Sequence, residues 1–205
     1  MKIKNVVFDV GNVLVRWVPY EAINKVFPGD DPIKLYEQLK PTWIDLNLGK
    51  LSEQEAILIY QNKLNVSEKQ ITQLMLELKT SQTLIPGSLE LLHKLHAANI
   101  PLYSITDNIK EIIEYHWSHS NFLHYFKGIV VSAELGILKP DQKIYRYLLN
   151  KYNLHPVESV FIDDLIINVE GALSVGMQAF QFTDAVSCEN KLIELGLFNS
   201  LPANS

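Results

Sequence analysis

Two short apolar, β-branched runs end abruptly at carboxylates near opposite ends of this 205-residue chain. Residues 6–8 lead into Asp9, and residues 160–162 lead into Asp163 and Asp164. Runs of this kind are typical of strands that are buried on both faces of a parallel sheet. Ligands of open α/β sheets bind in the crevice at the carboxyl ends of the strands. If the two strands are neighbours, three acidic side chains share one small volume in that crevice.

Asp9, Asp163 and Asp164 would repel one another if they met without a compensating charge, and each would raise the pKa of the others. A divalent cation between them removes this repulsion. Hard oxygen ligands of this type suit Mg²⁺. The sequence therefore predicts a magnesium site, and with it an active site, at one edge of a parallel sheet.

The composition is that of a globular protein with a sizeable core, because 47% of the residues are hydrophobic and 20% are charged. A net charge of −5 without a basic cluster argues against a nucleic-acid partner. Cys188 is the single cysteine, which excludes an intrachain disulfide and suits a reducing compartment. No apolar run reaches the roughly 18 to 20 residues that span a bilayer, and the first residues lack the features of a signal peptide. We therefore expect a cytoplasmic protein, a monomer or small homo-oligomer, without a membrane partner.

The segment from residue 15 to residue 84 has helical patterns and no convincing strand. Ser52 and Ser67 are each followed three positions later by Glu or Gln, which is the capping-box signature of a helix start. Asp31 followed by Pro32 also fits an N-cap and a first helical position. Apolar residues then recur at helical spacing after both serines. We expect this segment to be all-helical.

From Pro86 onward, predicted strands alternate with predicted helices, which indicates right-handed βαβ units on a parallel sheet. The predicted strands are residues 101–105, 128–131, 160–162 and 178–182, and the predicted helices are residues 89–95, 109–117, 142–152 and 169–173. The predicted fold class is therefore α/β, a Rossmann-like parallel sheet with a helical cap inserted after the first strand. We assign residues 1–14 and 85–205 to the core domain and residues 15–84 to the cap.

Each candidate polar group follows a predicted strand. Thr106 and Asp107 follow the strand at residues 101–105, and Lys139 lies in the loop after residues 130–135. Together with the three aspartates, these positions deliver carboxylates, a hydroxyl with a following backbone amide, and an ammonium to one edge of the sheet. This set suits phosphoryl transfer, which needs a nucleophile, a metal and donors for the non-bridging oxygens.

Four short motifs occur in order along the chain, and they are residues 8–14 (Phe-Asp-Val-Gly-Asn-Val-Leu), 105–107 (Ile-Thr-Asp), 139–140 (Lys-Pro) and 161–164 (Phe-Ile-Asp-Asp). The ordered set, with a helical insert in the cap position, resembles the haloacid dehalogenase (HAD) superfamily over nearly the whole chain. The nearest likeness is to its capped phosphatase branch, which includes bacterial glucose-1-phosphate phosphatase and the N-terminal phosphatase domain of soluble epoxide hydrolase. Residues 47–52 of the cap are also similar to that branch.

The resemblance implies a Mg²⁺-dependent phosphatase that hydrolyses a small phosphorylated metabolite, of the sugar-phosphate type, through an aspartyl-phosphate intermediate. It implies that Asp9 is the nucleophile. It also implies that Mg²⁺ binds Asp9, the backbone carbonyl of Gly11 and Asp164. Asp163 would act on the metal through water, or would pair with Lys139.

The resemblance implies that three further groups contact the phosphate. Thr106 and the backbone amide of Asp107 would hold the phosphate oxygens. Lys139 would offset negative charge both on Asp9 and on the phosphoryl group. These roles agree with the need for positive charge where an anionic carboxylate approaches an anionic phosphate.

Two positions depart from the family pattern. Most superfamily phosphatases have a second aspartate, a general acid and base, where this chain has Gly11, although the glucose-1-phosphatase-like branch also has Gly-Asn there. The carbonyl of Gly11 can still bind a metal, but the leaving alcohol has no assigned proton donor, and general acid catalysis is commonly worth about 10²–10⁴-fold. Asp107 stands where the family more often has Asn, which is unfavourable beside a phosphate unless the carboxylate points away.

Two other functions stay open. A metal-independent 2-haloacid dehalogenase would use Asp9 to displace halide from carbon, and that subfamily also lacks the second aspartate. The paired acids Asp163 and Asp164 argue against it, because a metal-free enzyme has little use for them. A non-catalytic HAD-fold protein that binds phosphometabolites or a protein partner is supported only by Gly11.

Several other residues have a structural interpretation. His116 and His119 have i, i+3 spacing but no third ligand at a supporting distance, which favours a structural role. Asn168 starts a predicted helix, so capping is favoured over catalysis. Four residues in or near the cap would either contact substrate or form its hinge and core: Trp17, Tyr20, Trp43 and Asp45.

Overall fold

The computed structural model describes residues 2–197, and within them the backbone forms a five-stranded parallel sheet. The strands are β1 (Asn5–Phe8), β2 (Leu102–Thr106), β3 (Phe126–Val131), β4 (Ser159–Asp163) and β5 (Gln178–Gln181). Their order across the sheet is β3-β2-β1-β4-β5, and every neighbouring pair is parallel. The predicted α/β class is confirmed.

The described residues also form ten α-helices and two short 3₁₀ helices. The α-helices are α1 (Pro19–Val26), α2 (Pro32–Asn47), α3 (Glu53–Leu64), α4 (Glu68–Thr80), α5 (Ser88–Ala97), α6 (Lys110–His119), α7 (Ser132–Leu135), α8 (Gln142–Lys151), α9 (Ile166–Leu173) and α10 (Ala185–Glu194). The 3₁₀ helices are Phe122–Tyr125 and Pro156–Glu158.

The two apolar runs that end at carboxylates are neighbouring strands. Phe8 at the end of β1 is in register with Ile162 on β4, and the Asp9 amide donates to the Ile162 carbonyl at 2.9 Å. The residues that follow these positions, Asp9 and Asp163, therefore emerge side by side at the carboxyl edge of the sheet. Strand β2 lies on the other side of β1 and brings Thr106 to the same edge.

Side chains alternate between the two faces of the sheet, as the pleat of a strand requires. On β1, Val6 and Phe8 belong to the hydrophobic core on one face, and Val7 belongs to the core on the other. Helices α5 and α10 cover the first face, where Leu92 and Leu192 are fully buried. Helices α8 and α9 cover the second face. Burial on both sides explains the apolar runs at residues 6–8 of β1 and 160–162 of β4.

Helices α1 to α4 occupy the segment for which the sequence predicts helices, and we call residues 19–80 the helical insertion. Ser52 and Ser67 each make the complete capping box at the start of α3 and α4, as predicted. The side chain of Asp31 accepts two backbone hydrogen bonds at the start of α2, also as predicted. The four helices pack around a shared hydrophobic cluster, in which Tyr60 and Leu74 are fully buried and to which α6 also contributes.

The chain enters and leaves the helical insertion through two segments that pair with each other. The Ile85 amide donates to the Leu14 carbonyl at 2.9 Å, and Val15 forms an isolated antiparallel bridge with Leu84. The predicted domain boundaries, between residues 14 and 15 and between residues 84 and 85, fall inside this paired segment. The division into a core and a cap domain stays a prediction.

The sequence pattern misses two helices. Helix α10 begins after Asp184, whose side chain accepts from the Ser187 amide at 2.8 Å, but its buried residues are too few for a strong periodic signal. Helix α7 has four residues, which is too short for any periodicity to register. No helix in the described part of the chain is both long and apolar enough to cross a membrane. Residues 198–205, which the sequence assigns to the core domain, lie outside the described residues.

Candidate active site

Asp9 lies where β1 ends, in the centre of the sheet edge. Its side chain is buried, and its Oδ1 atom accepts a hydrogen bond from the Val10 amide at 2.7 Å. The same oxygen lies 2.8 Å from the Nζ atom of Lys139. The pKa of Asp9 is raised to about 7, chiefly by burial, with Asp163 contributing to the rise and Lys139 opposing it. The carboxylate therefore needs nearby positive charge to stay ionised.

Lys139 supplies part of that positive charge from the loop before α8. Its side chain is 1% exposed, and Nζ donates to Asp163 Oδ2 at 2.7 Å while it also lies beside Asp9. Burial disfavours the ammonium, but the carboxylates of Asp9, Asp163 and Asp107 outweigh it and hold the pKa of Lys139 above its ordinary value. Lys139 is thus a permanent cation between two buried carboxylates. The pairing of Lys139 with Asp163, one of the two roles that the resemblance implies for Asp163, is present.

Asp163 is surrounded by hydrogen-bond donors at the end of β4. Its Oδ1 atom accepts from the Leu165 amide at 2.9 Å, and its Oδ2 atom accepts from Lys139. The Asn168 Nδ2 atom lies 3.0 Å from Oδ1 and 3.1 Å from Oδ2. With both oxygens engaged and no exposed surface, Asp163 is positioned to hold its neighbours rather than to meet a substrate.

The predicted capping role of Asn168 is wrong. Helix α9 begins at Ile166 with Leu165 as its N-cap, so Asn168 lies inside the first turn. There its buried side chain donates to Asp163 instead of capping the backbone. The signal available in the sequence was the spacing of Asn168 from Asp163, which only becomes informative once the start of α9 is known.

Asp164 is half-buried and faces the helical insertion. Its Oδ2 atom accepts from the Asn12 Nδ2 atom at 3.3 Å, and the Asn12 Oδ1 atom accepts from the Trp17 amide at 3.0 Å. Burial raises the pKa of Asp164, and the neighbouring Asp163 adds to the rise. Asn12 thereby links the acidic edge to the segment that leads into α1, a connection that the sequence analysis did not assign.

The residues present fit a divalent cation. Asp9, Asp163 and Asp164 can each offer one carboxylate oxygen, and these three atoms all lie within 4.8 Å of one another. Gly11 lines the same cleft, and its backbone carbonyl is the further ligand that the family resemblance implies. Carboxylate and carbonyl oxygens are the ligands that Mg²⁺ prefers. Because Asp163 already accepts several hydrogen bonds, Asp9, Asp164 and Gly11 are the more available ligands.

Thr106 and Asp107 lie where β2 ends, next to Asp9. Thr106 is buried, and the Asp107 Oδ1 atom accepts from the backbone amide of Lys139 at 3.1 Å. Burial raises the pKa of Asp107, while Lys139 lowers it. The Asp107 carboxylate therefore holds the loop that carries Lys139, which explains how a carboxylate is accommodated at this position.

A cleft of about 420 Å³ separates this edge of the sheet from the helical insertion. The predicted site residues that line it are Asp9, Gly11, Thr106, Asp107, Lys139 and Asp164. Asp163 lies behind them, in contact with Lys139. Of the four residues left open near the cap, Trp17 and Trp43 line the cleft. Asp45 instead pairs with Lys50 at 3.0 Å, and Tyr20 packs edge-on against Tyr36.

The two histidines do not meet at a common point. His116 is fully buried, and its two ring nitrogens lie 3.0 Å from Ser120 Oγ and 2.9 Å from Gln82 Oε1. Burial lowers the pKa of His116 to about 4, so the ring is neutral. His119 instead contacts the Tyr115 carbonyl at 3.0 Å. His116 therefore has the structural role that the sequence favours, joining α6 to the segment that returns from the helical insertion.

Two characterised hydrolases are similar in sequence to nearly the whole chain. It is 25% identical over 198 residues to a sesquiterpene phosphatase of Aspergillus oryzae, covering 94% of this chain and 96% of that protein. It is 27% identical over 204 residues to a chloroplast flavin mononucleotide hydrolase of Arabidopsis thaliana, covering 98% of this chain and 81% of that protein.

Solved structures share the fold. A HAD-family enzyme of Bacteroides thetaiotaomicron, crystallised with magnesium and inorganic phosphate, superposes with a TM-score of 0.75 at 22% identity and covers 89% of this chain and 95% of its own. An L-2-haloacid dehalogenase of Xanthobacter autotrophicus superposes with a TM-score of 0.68 at 15% identity, covering 94% of this chain and 83% of its own. The model of the haloacid dehalogenase-like hydrolase family matches residues 6–182. The chain is a member of the haloacid dehalogenase-like hydrolase family.

Proposed function

We propose that this hydrolase is a Mg²⁺-dependent phosphatase that removes the phosphate from a small phosphorylated metabolite through an aspartyl-phosphate on Asp9. The observation that carries the proposal is the position of Asp9 in the cleft, 2.8 Å from Lys139 and grouped with Asp163 and Asp164. The phosphatase and flavin mononucleotide hydrolase among its relatives support the same reaction class. A cytoplasmic location and a monomeric or small oligomeric state stay predictions.

The charge arrangement explains why this site suits a phosphate ester. A carboxylate nucleophile and a phosphate dianion repel each other, so the approach needs fixed positive charge. Lys139 supplies one cation. Mg²⁺, when held by Asp9, Asp164 and the Gly11 carbonyl, supplies further positive charge to the phosphoryl oxygens. The Thr106 hydroxyl and the Asp107 amide add hydrogen-bond donors for those oxygens.

Asp9 is oriented for nucleophilic attack. Among residues 2–197, the two polar contacts of the Asp9 carboxylate come from the Val10 amide and from Lys139, and both go to Oδ1. The other oxygen, Oδ2, is then the atom that bonds to phosphorus as the bond from phosphorus to the leaving alcohol breaks. Water next attacks the phosphorus of the aspartyl-phosphate, which releases inorganic phosphate and restores the carboxylate.

No side chain at position 11 donates a proton to the leaving alcohol. Gly11 has no side chain, and a Cβ atom there would meet only the Trp17 Cβ atom, at 3.9 Å. We assign this proton to a water molecule that is retained in the cleft. We also propose that the helical insertion closes over the cleft as a lid, because exclusion of bulk water strengthens the charge interactions on which the reaction depends.

The test is a phosphate-release assay with p-nitrophenyl phosphate and a panel of phosphorylated metabolites that includes sugar phosphates. We expect turnover with Mg²⁺, loss of turnover with EDTA, and a loss of at least roughly 10³-fold in Asp9→Asn, since the nucleophile is removed. Asp30→Asn, an exposed aspartate of the helical insertion, is the matched control and keeps full activity. Turnover that survives both EDTA and Asp9→Asn would overturn the proposal, and chloride release from 2-chloropropionate in EDTA would replace it with the dehalogenase.

A further inference from the structure

The cleft has two chemically different walls. The wall formed by the sheet edge carries the carboxylates, Thr106 and Lys139, whereas the wall formed by the helical insertion is largely aromatic and apolar. Tyr36, Trp43 and Ile44 of the helical insertion belong to this second wall, together with Trp17 from the segment that leads into α1. The rings of Trp17 and Trp43 stack on each other with centroids 5.3 Å apart and planes inclined by 25°. The stacked pair packs partly against the hydrophobic cluster of the helices and lines the cleft with aromatic, mainly apolar atoms.

The apolar character continues to the rim of the cleft. Ile44 on α2 is 41% exposed, and Leu165 on the opposite side of the cleft is 53% exposed. Large apolar side chains that face water around a functional cleft mark a surface that gains free energy when an apolar group covers it. The two residues come from different parts of the chain, so the apolar rim spans both the helical insertion and the sheet edge.

Few polar groups on the second wall can bind hydroxyl groups. The Gln82 amide is already engaged at both ends, by His116 and by the Leu78 carbonyl. The Asn47 Oδ1 atom is buried, lacks a hydrogen-bond partner among the described residues, and is one acceptor that a substrate could use. Lys40 lies at the cleft with an exposed side chain. Against this wall, a sugar ring would find only these groups and the Tyr36 hydroxyl as partners, and each hydroxyl left without one would be desolvated at a cost.

We propose that the substrate is a phosphate monoester whose leaving group is an apolar ring or hydrocarbon alcohol rather than a polyhydroxylated sugar. This inference rests on the proposed phosphatase function and narrows it. The phosphate lies against Lys139 and the acidic edge, and the apolar group lies against the Trp17–Trp43 pair and between the rim residues. It replaces the sugar-phosphate expectation derived from the family resemblance.

The experiment compares two esters of matched shape, cyclohexylmethyl phosphate and glucose 6-phosphate. Each has a six-membered ring attached through one methylene to the phosphate oxygen, so the broken bond and the ring size are the same and the hydroxyls differ. We expect kcat/KM for phosphate release to favour the cyclohexylmethyl ester by roughly 100-fold, the discrimination that an apolar pocket achieves against added hydroxyls.

Substitutions on the second wall test which residues cause the preference for the apolar ester. We expect Trp43→Ala and Ile44→Asn each to reduce the ratio of the two kcat/KM values by about tenfold, as for a lost apolar contact in a specificity pocket. Ile44 is on the surface, so its replacement leaves the fold intact. Ile33→Asn is the matched control, because Ile33 is 62% exposed on the same helix and does not line the cleft.

The outcomes separate this inference from the proposed function. Equal or better hydrolysis of glucose 6-phosphate, or an unchanged ratio in both variants, would overturn the inference and leave the phosphatase intact. Failure of both esters while p-nitrophenyl phosphate is hydrolysed would also overturn it. Failure of every ester, p-nitrophenyl phosphate included, would overturn the phosphatase function and this inference together.

Discussion

Lys139 Nζ lies 2.7 Å from Asp163 Oδ2 and 2.8 Å from Asp9 Oδ1, and all three side chains are removed from water. The lysine thus holds Asp9, the proposed nucleophile, and Asp163 at a fixed separation. A buried cation that is shared by two carboxylates is expensive to remove, because each carboxylate then stays buried without a compensating charge. Stability and catalysis therefore depend on the same side chain.

Lys139→Met is expected to lower the free energy of unfolding by about 3–5 kcal/mol, the usual cost of breaking a buried ion pair. Urea denaturation without added metal measures this. Lys50→Met is the control, since Lys50 pairs with Asp45 at the surface and should change the midpoint little. A midpoint for Lys139→Met equal to that of the wild type would contradict the pairing.

The buried, neutral His116 is expected to make the free energy of unfolding depend on pH. Its folded pKa, about 4, lies below the ordinary value of 6.5, so the unfolded chain binds more protons between these values. Stability from this group is full above pH 6.5 and falls as the pH drops toward 4, by about 3 kcal/mol in total. Urea midpoints at pH 7.5 and pH 5 test it. His116→Gln should flatten the dependence, and His119→Gln should not; an equally steep loss in His116→Gln would refute the assignment.

Gly11→Asp is expected to supply the missing proton donor. The site has room for a side chain at Gly11, because only the Trp17 Cβ atom lies within 4 Å of the added Cβ. We expect kcat for alkyl phosphates to rise by up to about 100-fold, while acetyl phosphate, whose leaving group needs no proton, changes little. Gly11→Asn serves as the control of equal size. Identical effects of the two substitutions would show that the gain does not come from acid catalysis.

Gly49 is expected to tolerate no side chain. Its φ is +64°, and a Cβ atom there would meet the Ala133 carbonyl oxygen of α7 at 2.0 Å. The same contact region holds the hydrogen bond from Ser132 Oγ to the Asn47 carbonyl at 2.7 Å. Gly49→Ala should therefore displace the end of α2 and lower both stability and kcat/KM.

Gly29 provides the matched control for that prediction. Its φ of +98° is also left-handed, but nothing lies within 4 Å of an added Cβ. Gly29→Ala should show backbone strain alone, about 1–2 kcal/mol, with unchanged activity. Thermal unfolding and the phosphatase assay measure both variants, and equal effects at the two glycines would rule out the contact with Ala133.

Much of the fold is readable from local sequence. The apolar runs before Asp9 and Asp163 predict strands that are buried on both faces of a parallel sheet, because such strands have no polar alternation. The capping boxes at Ser52 and Ser67 predict helix starts because they satisfy backbone groups within four residues. Both signals are local, and the structure confirms both.

What the sequence misses depends on contacts between distant segments. The role of Asn168 follows from where α9 begins, which is set by the hydrogen bond from the Leu165 amide to Asp163. The stacking of Trp17 on Trp43 joins two separate segments of the chain and has no periodic signature. The charges and ligand types in the sequence predict the residues at the sheet edge of the cleft. The second wall of the cleft depends on how the helices pack, which the sequence pattern does not give.

The most direct test of the central claim is mass spectrometry of the enzyme quenched in acid during turnover. The claim is that Asp9, held by Lys139 and grouped with Asp163 and Asp164, carries the phosphoryl group between substrate and water. We predict a phosphorylated peptide with the modification on Asp9, present with Mg²⁺ and absent in EDTA and in Asp9→Asn. Phosphate found on a different residue, or turnover without any phosphorylated peptide, would contradict the account.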